Sequence, residues 1–464
     1  IDEVLDLFIE LGCSEDLLDF PYIFTSATEG YAVLDPSQQG KDIDLLFKMI
    51  LEHIPPPTVQ ADSPFQLQVT NLDYDDHLGR MFGGKILCGT VRRGETVAII
   101  KRDGTQDKFA VTKVFIYQGL KRIEVEEASA GEIVLLAGYE DVQIGSTIAD
   151  ADQPKALPLI HIDEPTVSMD FIVNNSPWAG KSGKWITMRN LSNRLYKEAK
   201  VNVSLRVEPT DSPDSLRVSG RGELQLAILL ETMRREGYEV AVSKPKAITR
   251  KIDGVLCEPI EEVTIDVNDE AVGTIIQELA ARKGEIISMS KDETGNNRLI
   301  FEVPTRGLIG FRSDFLTWTK GLGMISRMFK EYGPHRGEIV TRTRGSLIVK
   351  ETGRATAYAI APLQERATFF ISPGDEVYEG QVVGENSRSE DMVVNVTKAK
   401  HATNMRSSTE EATVLITPPR QFMLEQALAF IGDDELLEVT PDALRFRKRI
   451  LNQIDRRLEE RRSR

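Results

Sequence analysis

The chain has 464 residues, 41% of them apolar and 28% charged, with a formal net charge of −15. That length calls for about three or four domains, and the acid excess excludes a uniformly basic nucleic-acid binder while leaving room for local basic patches. The three cysteines, Cys13, Cys88 and Cys257, lie too far apart for a metal motif or a disulfide framework, which fits a reducing, cytoplasmic setting. No apolar run approaches the roughly 18 residues of a membrane helix, and no signal peptide is legible.

Ile1 falls inside a helical pattern, so the chain reads as a piece whose upstream part is missing. Val4, Leu5, Phe8 and Leu11 make one helical stripe, stopped by Gly12. Pro21 to Phe24 reads as a short buried strand, and Ile43 to His53 carries a second helical stripe. Residues 1–58 are thus expected to close a parallel α/β domain. Ligands of such sheets bind beyond the carboxyl ends of the strands, where Ser26 and Ala27 fall; for those two residues alone, an ordinary polar strand-to-helix turn is the stronger reading. Pro55-Pro56-Pro57 makes a stiff linker.

Residues 62–156 change to short β-rich runs separated by Gly and Asp turns, the pattern of a small closed barrel. Gly79 to Lys85 matches Gly-x4-Gly-Lys, but Ile86 stands where a phosphate loop needs a hydroxyl, and the run leads into a strand instead of a helix. It is no phosphate loop.

Residues 164–246 read β-α-β-β-α-β, a ferredoxin-like split unit, and residues 256–333 repeat it. Ser219 to Leu226 in the first unit has a degenerate copy, Thr305 to Gly310, in the second, as if one Arg-Gly step opened a helix in each. The first unit is longer chiefly through the Gly/Ser/Pro/Trp loop Asn174 to Lys184. Neither unit offers a nucleophile beside a base or clustered metal ligands, so neither catalytic nor metal residues are assigned. They read as binding and mechanical modules.

Residues 335–464 form a last, β-rich domain, with strands expected at Ser346–Val349, Ala355–Ala361, Thr368–Ile371 and Glu376–Val383. Val396 to Ser408 holds Lys398, Lys400, His401, Asn404 and Arg406 with no acid and no apolar period, so it reads as a loop. Its cations attract phosphate, and Asn, His and Met can meet unpaired bases, making RNA one reading and a solvated loop the other. After a helix at Leu424–Ile431, Asp442 to Arg464 carries nine Lys/Arg against four acids. Most of these are expected on the solvated face of a terminal helix.

The module order, with Arg221-Gly222-Glu223-Leu224-Gln225-Leu226 in the first split unit, resembles translational GTPases of the elongation factor G type. Ser243 to Glu258 leaves no room for a domain between the split units, the second unit carries Arg306 to Ser313, and a further domain contains Thr403-Asn404-Met405-Arg406. Together these resemble the BipA/TypA family of ribosome-binding GTPases over essentially the whole chain. The resemblance implies a multidomain α+β chain: the end of a Ras-like α/β domain, a barrel, two ferredoxin-like units and a family-specific β-rich C-terminal domain. It makes Ser26 and Ala27 the remnant of a guanine-binding loop, with GTP and Mg2+ as cofactors of an intact GTPase whose phosphate loop would precede Ile1. The 464 residues alone are then expected to be the inactive, binding part. Implied partners are the 70S ribosome and large subunit, rRNA and the acceptor end of A-site tRNA, contacted by a monomer through the loop at Lys398, Lys400, His401, Asn404 and Arg406. Implied roles are large-subunit assembly and translation under stress or cold. A LepA-like factor and a nucleotide-independent RNA-binding assembly factor are the alternatives.

Overall fold

The structure, a computed structural model, describes residues 1–14, 18–38, 40–56, 59–75, 77–160, 164–291, 296–339, 342–399 and 415–463. The N-terminal segment holds helices Asp2–Glu10 and Asp44–His53 around two short strands. Phe24–Ser26 is the first of these, in place of the buried strand expected at Pro21–Phe24, and it pairs antiparallel with Tyr31–Val33. Gly30, at φ +72°, closes the turn by donating its N–H to Ser26 O at 2.8 Å. That left-handed step folds the chain straight back, giving a hairpin where a parallel crossover was expected. Neither helix buries a residue.

In residues 66–150, Gly79–Cys88 is one long strand, so the Gly-x4-Gly-Lys run lies within the strand it was expected to lead into. A side chain at Gly84 would run into the Gln68 carbonyl, so this glycine serves close strand packing. The sheet closes on itself through the segment Gln106–Gln118. Its first half pairs with Thr96–Ile100 and its second half with Ile133–Ala137. Between them Val111 N donates to Glu95 O and Thr112 N to Ala137 O, both at 2.9 Å. Leu67, Phe82, Ile86, Val97, Ile99, Val134 and Ile148 fill one interior.

The two split units share one strand order. The first runs Arg206–Pro209, Ser215–Gly220, Val167–Val173, Val240–Val242. The second runs Glu285–Lys291, Asn297–Pro304, Val255–Val267, Met324–Pro334. They differ at the Arg-Gly step. In the first unit Gly222 precedes a single helix, Glu223–Arg235. In the second, Arg306 and Gly307 sit inside a one-turn helix, Thr305–Leu308, and the main helix, Phe311–Trp318, starts only after Gly310. Gly310 lies at φ +74° and donates its N–H to Glu223 Oε2 at 2.8 Å, so the two copies of the motif dock on each other. Burial at this contact pushes the Glu223 carboxyl up, outweighing Arg327 nearby. A Cβ at Gly310 would stand 2.6 Å from the Ala429 Cβ. Gly310→Ala is therefore expected to cost about 1–3 kcal/mol, read as a lower midpoint in chemical denaturation.

The sequence gives no hint of what happens at the fourth strand of the first unit. Val240–Val242 pairs antiparallel with Glu435–Val439, and the sheet runs on through Leu444–Lys448, Gln381–Asn386, Ser346–Val349 and Met392–Val394 to eleven strands. A single apolar cluster joins Phe171, Leu226 and Leu230 of the split unit to Val382, Leu437 and Phe446 of the C-terminal domain. An open edge strand is a template for pairing, and here the chain's own last domain occupies it.

Three expectations for the C-terminal domain fail. Glu376–Val383 is not one strand: Glu376–Val377 and Gln381–Asn386 are parted by a turn in which Gly380 takes φ +83°. Ala355–Ala361 is no strand: Ala357–Ile360 is a short helix, capped by Thr356 Oγ1 accepting from Ala359 N at 3.2 Å. The basic tail is not mainly one solvated helix either. Leu444–Lys448 is a strand with Arg447 and Lys448 buried, and the terminal helix begins only at Gln453.

Candidate RNA-contact region and its support

Ser26 ends the first strand of the N-terminal hairpin, and Ala27 follows in its turn. The Ser26 hydroxyl accepts from Glu29 N at 3.3 Å, as in any polar turn. Lys398 lies in the C-terminal domain, exposed. Lys400, His401, Asn404 and Arg406 lie outside the described residues, so the structure does not bring the five loop residues together.

It does define where that loop is rooted. Thr356, the cap of the short helix, donates its hydroxyl to Lys398 O at 2.6 Å and its N–H to Val396 O at 3.0 Å. Just past the helix, Gln364 donates to Leu415 O at 2.9 Å and accepts from Thr417 N at 3.1 Å. The outgoing and returning stems are thus fastened to one structural corner. Beneath it Val394, Val396, Ile360, Val349, Val377 and Val383 form a buried cluster. A loop on rigid stems is the usual way to present contact residues.

Residues that the sequence did not mark for a role fix this domain against the first split unit. Asn174 Nδ2 and Ser176 Oγ both donate to Glu438 Oε1 at 3.0 Å, and the Tyr378 hydroxyl donates to Glu438 Oε2 at 2.7 Å. Burial pushes the Tyr378 hydroxyl up, and the Glu438 carboxylate beside it adds to the shift. The Trp178 ring meets Tyr378 edge-on at 5.1 Å, with the Arg445 guanidinium 4.9 Å from its centroid. The Asn174 to Lys184 loop holds this shape because Glu239, almost fully buried, accepts from three backbone N–H groups: Gly180 at 2.7 Å, Ser182 at 2.8 Å and Gly183 at 2.6 Å. Hydrogen bonds to a charged acceptor contribute more than neutral ones, so Glu239→Ala is expected to cost about 2–4 kcal/mol. The expected signature is faster proteolysis within Asn174–Lys184 together with a lower thermal midpoint.

A second buried network lies on the far side of the same strands. Lys448 Nζ stands 2.6 Å from Asp391, 2.7 Å from Asp434 and 3.2 Å from Glu435. Glu435 also pairs with Arg342 at 2.8 Å and accepts from Gly432 N at 2.8 Å. Burial works against the charge on Lys448, but Glu435, Asp391 and Asp434 outweigh it and push the amine up to about 12. Burial likewise opposes Glu435, yet Lys448 and Arg342 hold its carboxyl below the usual range.

Among the described residues none is arranged to cradle the phosphates of a nucleotide. The Gly-x4-Gly-Lys run is strand, and Ser26 with Ala27 offers a hydroxyl and backbone alone. Among the described residues no three His, Cys, Asp or Glu side chains are grouped to hold a metal ion.

A barrel followed by two split units and a further β-rich domain is the architecture of an elongation-factor-type translation factor. Residues 79–149 match the family described as elongation factor Tu domain 2, 255–343 the elongation factor G C-terminus, and 344–453 the TypA/BipA C-terminal domain. The chain is 49% identical over 457 residues to the large ribosomal subunit assembly factor BipA of Bacillus subtilis, covering 98% of this chain and 75% of that protein. The proteins of the same name from Synechocystis and Escherichia coli K12 are each 46% identical, over 97% and 98% of this chain and 75% and 76% of theirs. The chain belongs to the BipA/TypA family.

Proposed function

We propose that this chain is the ribosome-reading part of a GTP-dependent factor acting in assembly of the large ribosomal subunit. The observation that carries this reading is the 46–49% identity to large-subunit assembly factors across nearly every residue. Residues 62–156, 164–246, 256–333 and 335–464 act as barrel, two split units and RNA-facing domain behind the nucleotide-domain remnant at 1–58. The first split unit and the C-terminal domain share one sheet, so together they form the platform on which the loop at Lys398, Lys400, His401, Asn404 and Arg406 meets rRNA and the acceptor end of A-site tRNA. The chain works as a cytoplasmic monomer, with its greatest demand under cold or stress.

Co-sedimentation with large subunits tests the reading: the chain is expected to pellet with them at low salt and to be released as salt rises. Co-sedimentation equal to that of an unrelated acidic protein would refute it. Because the Gly-x4-Gly-Lys run lies in a strand instead of a phosphate loop, the purified chain is expected to release no phosphate from GTP above a buffer blank. Turnover that scaled with protein concentration would overturn that expectation.

A further inference from the structure

A cavity of about 560 Å³ opens where the two split units meet the C-terminal domain. A second, of about 450 Å³, adjoins it and shares Lys244, Lys246 and Asp433 in its wall. Seven Lys/Arg line the larger cavity against three acids, in a chain whose net charge is −15. Glu258 and Glu435, outside that lining, pair with Arg306 and Arg342 and still leave the cations in excess.

How the remaining cations are paired is more telling than their number. Arg282 meets Asp314 at 3.0 Å, a close pair. Arg344 and Arg420, however, share one oxygen of Glu385 at 3.9 and 3.6 Å. Lys246 reaches Asp433 only at 3.5 Å, and Lys244 also leans on that carboxylate, at 3.7 Å. At 3.5 to 3.9 Å, Arg344, Arg420 and Lys246 stand at or beyond hydrogen-bond range of these carboxylates, held mainly by charge. Arg342, by contrast, is bonded through its terminal nitrogens to Glu435, Ser346 and Phe430 O, and only its Nε is buried without a partner among the described residues. Arginines poised without directed acceptors suit a tetrahedral anion, whose several oxygens can satisfy two guanidinium groups at once.

We infer that this three-way junction binds a phosphate group, which bridges Arg344 and Arg420 of the C-terminal domain to Lys246 of the first split unit. Among the described residues, the cavity lining includes none of the loop residues named above, and the test of the site does not depend on ribosome binding. The phosphate arrives either as a free anion or in an RNA backbone, and two probes separate the sources: pyrophosphate followed by calorimetry, and a short single-stranded RNA followed by fluorescence anisotropy. The unaltered chain binds at least one of them saturably. Arg344→Gln with Arg420→Gln weakens that binding by about tenfold or more, since each charge-assisted contact is among the strong kinds. Both arginine side chains are about half exposed, so the variant folds, as an unchanged circular-dichroism melt verifies. Asp433→Asn, which removes a competing carboxylate, tightens the same binding several-fold, a change of sign that structural damage would not produce. Lys121→Gln, an exposed charge loss on the barrel, leaves it within twofold. If only pyrophosphate responds to the arginine variant, the ligand is a free anion; if only RNA responds, it is the backbone. Absence of saturable binding by either probe, or binding by both that ignores the arginine variant, overturns the inference.

Discussion

Lys448→Met is expected to lower the unfolding free energy by about 3–5 kcal/mol, because breaking a buried ion pair strands the opposite charge. The stranded group is Glu435, almost wholly buried, with Arg342, Ser346 and the Gly432 N–H left as its polar neighbours. Retention of Arg342 places the effect toward the lower end. Adding Glu435→Gln should recover part of the loss, since the cost lies in the uncompensated charge more than in the missing bond. Urea denaturation of the two variants checks this, and a double variant less stable than the single would reject it. The same network fixes a pH dependence. Lys448 is raised in the folded chain, so its contribution is complete below 10.5 and fades as pH rises through about 12. Glu435 is depressed, so its contribution is complete above 4.5 and is lost as pH falls through its folded value. Stability should therefore fall off on both flanks, and Lys448→Met should abolish the alkaline arm that this pair supplies.

Replacing Lys398, Lys400 and Arg406 together with Ala is expected to weaken binding to large subunits by roughly 10- to 100-fold near physiological salt, with each lost phosphate contact flattening the salt slope by about 1. Thr356 and Gln364 hold the stems through Lys398 O, Leu415 O and Thr417 N, and the short helix between them needs no charge from the loop. Folding should therefore be unaffected, and the thermal midpoint of the variant should match that of the unaltered chain. Sedimentation across a salt series provides the measurement. Unchanged affinity at every salt concentration would remove these residues from the interface.

Much of this was legible in the residues. The barrel strands announce themselves by alternation between Gly turns, and each split unit by the switch from a period of 2 to one of 3.6. The Leu444–Lys448 strand was hidden for a physical reason. A run rich in Arg and Lys reads as solvated unless its acids are known, and Asp391, Asp434, Glu435 and Glu438 become its partners only through the fold. Ala355–Ala361 was a short apolar run that periodicity cannot assign; Thr356 ahead of it was the usable signal, as a helix cap. The two Arg-Gly steps look alike in sequence, but the left-handed backbone at Gly310 delays the second main helix to Phe311. Of the candidate site, the charge pattern at Lys398 could be read directly. Its anchorage on Thr356 and Gln364 could not, because hydrogen bonds across 42 to 53 residues leave no local trace.

The pairing of Val240–Val242 with Glu435–Val439 also sets an order of events during synthesis. Val242 faces Leu437, so the edge of the first split unit waits for a strand made about 200 residues later. With translation at roughly 5–20 residues per second, that edge stays uncovered for tens of seconds as the chain emerges. A chain halted before Glu435 would carry an unprotected apolar edge strand and is a ready substrate for chaperones or for aggregation. The strands from Glu435 onward thus complete a sheet begun about 200 residues earlier, and premature termination between the two should be punished by insolubility more than by partial activity.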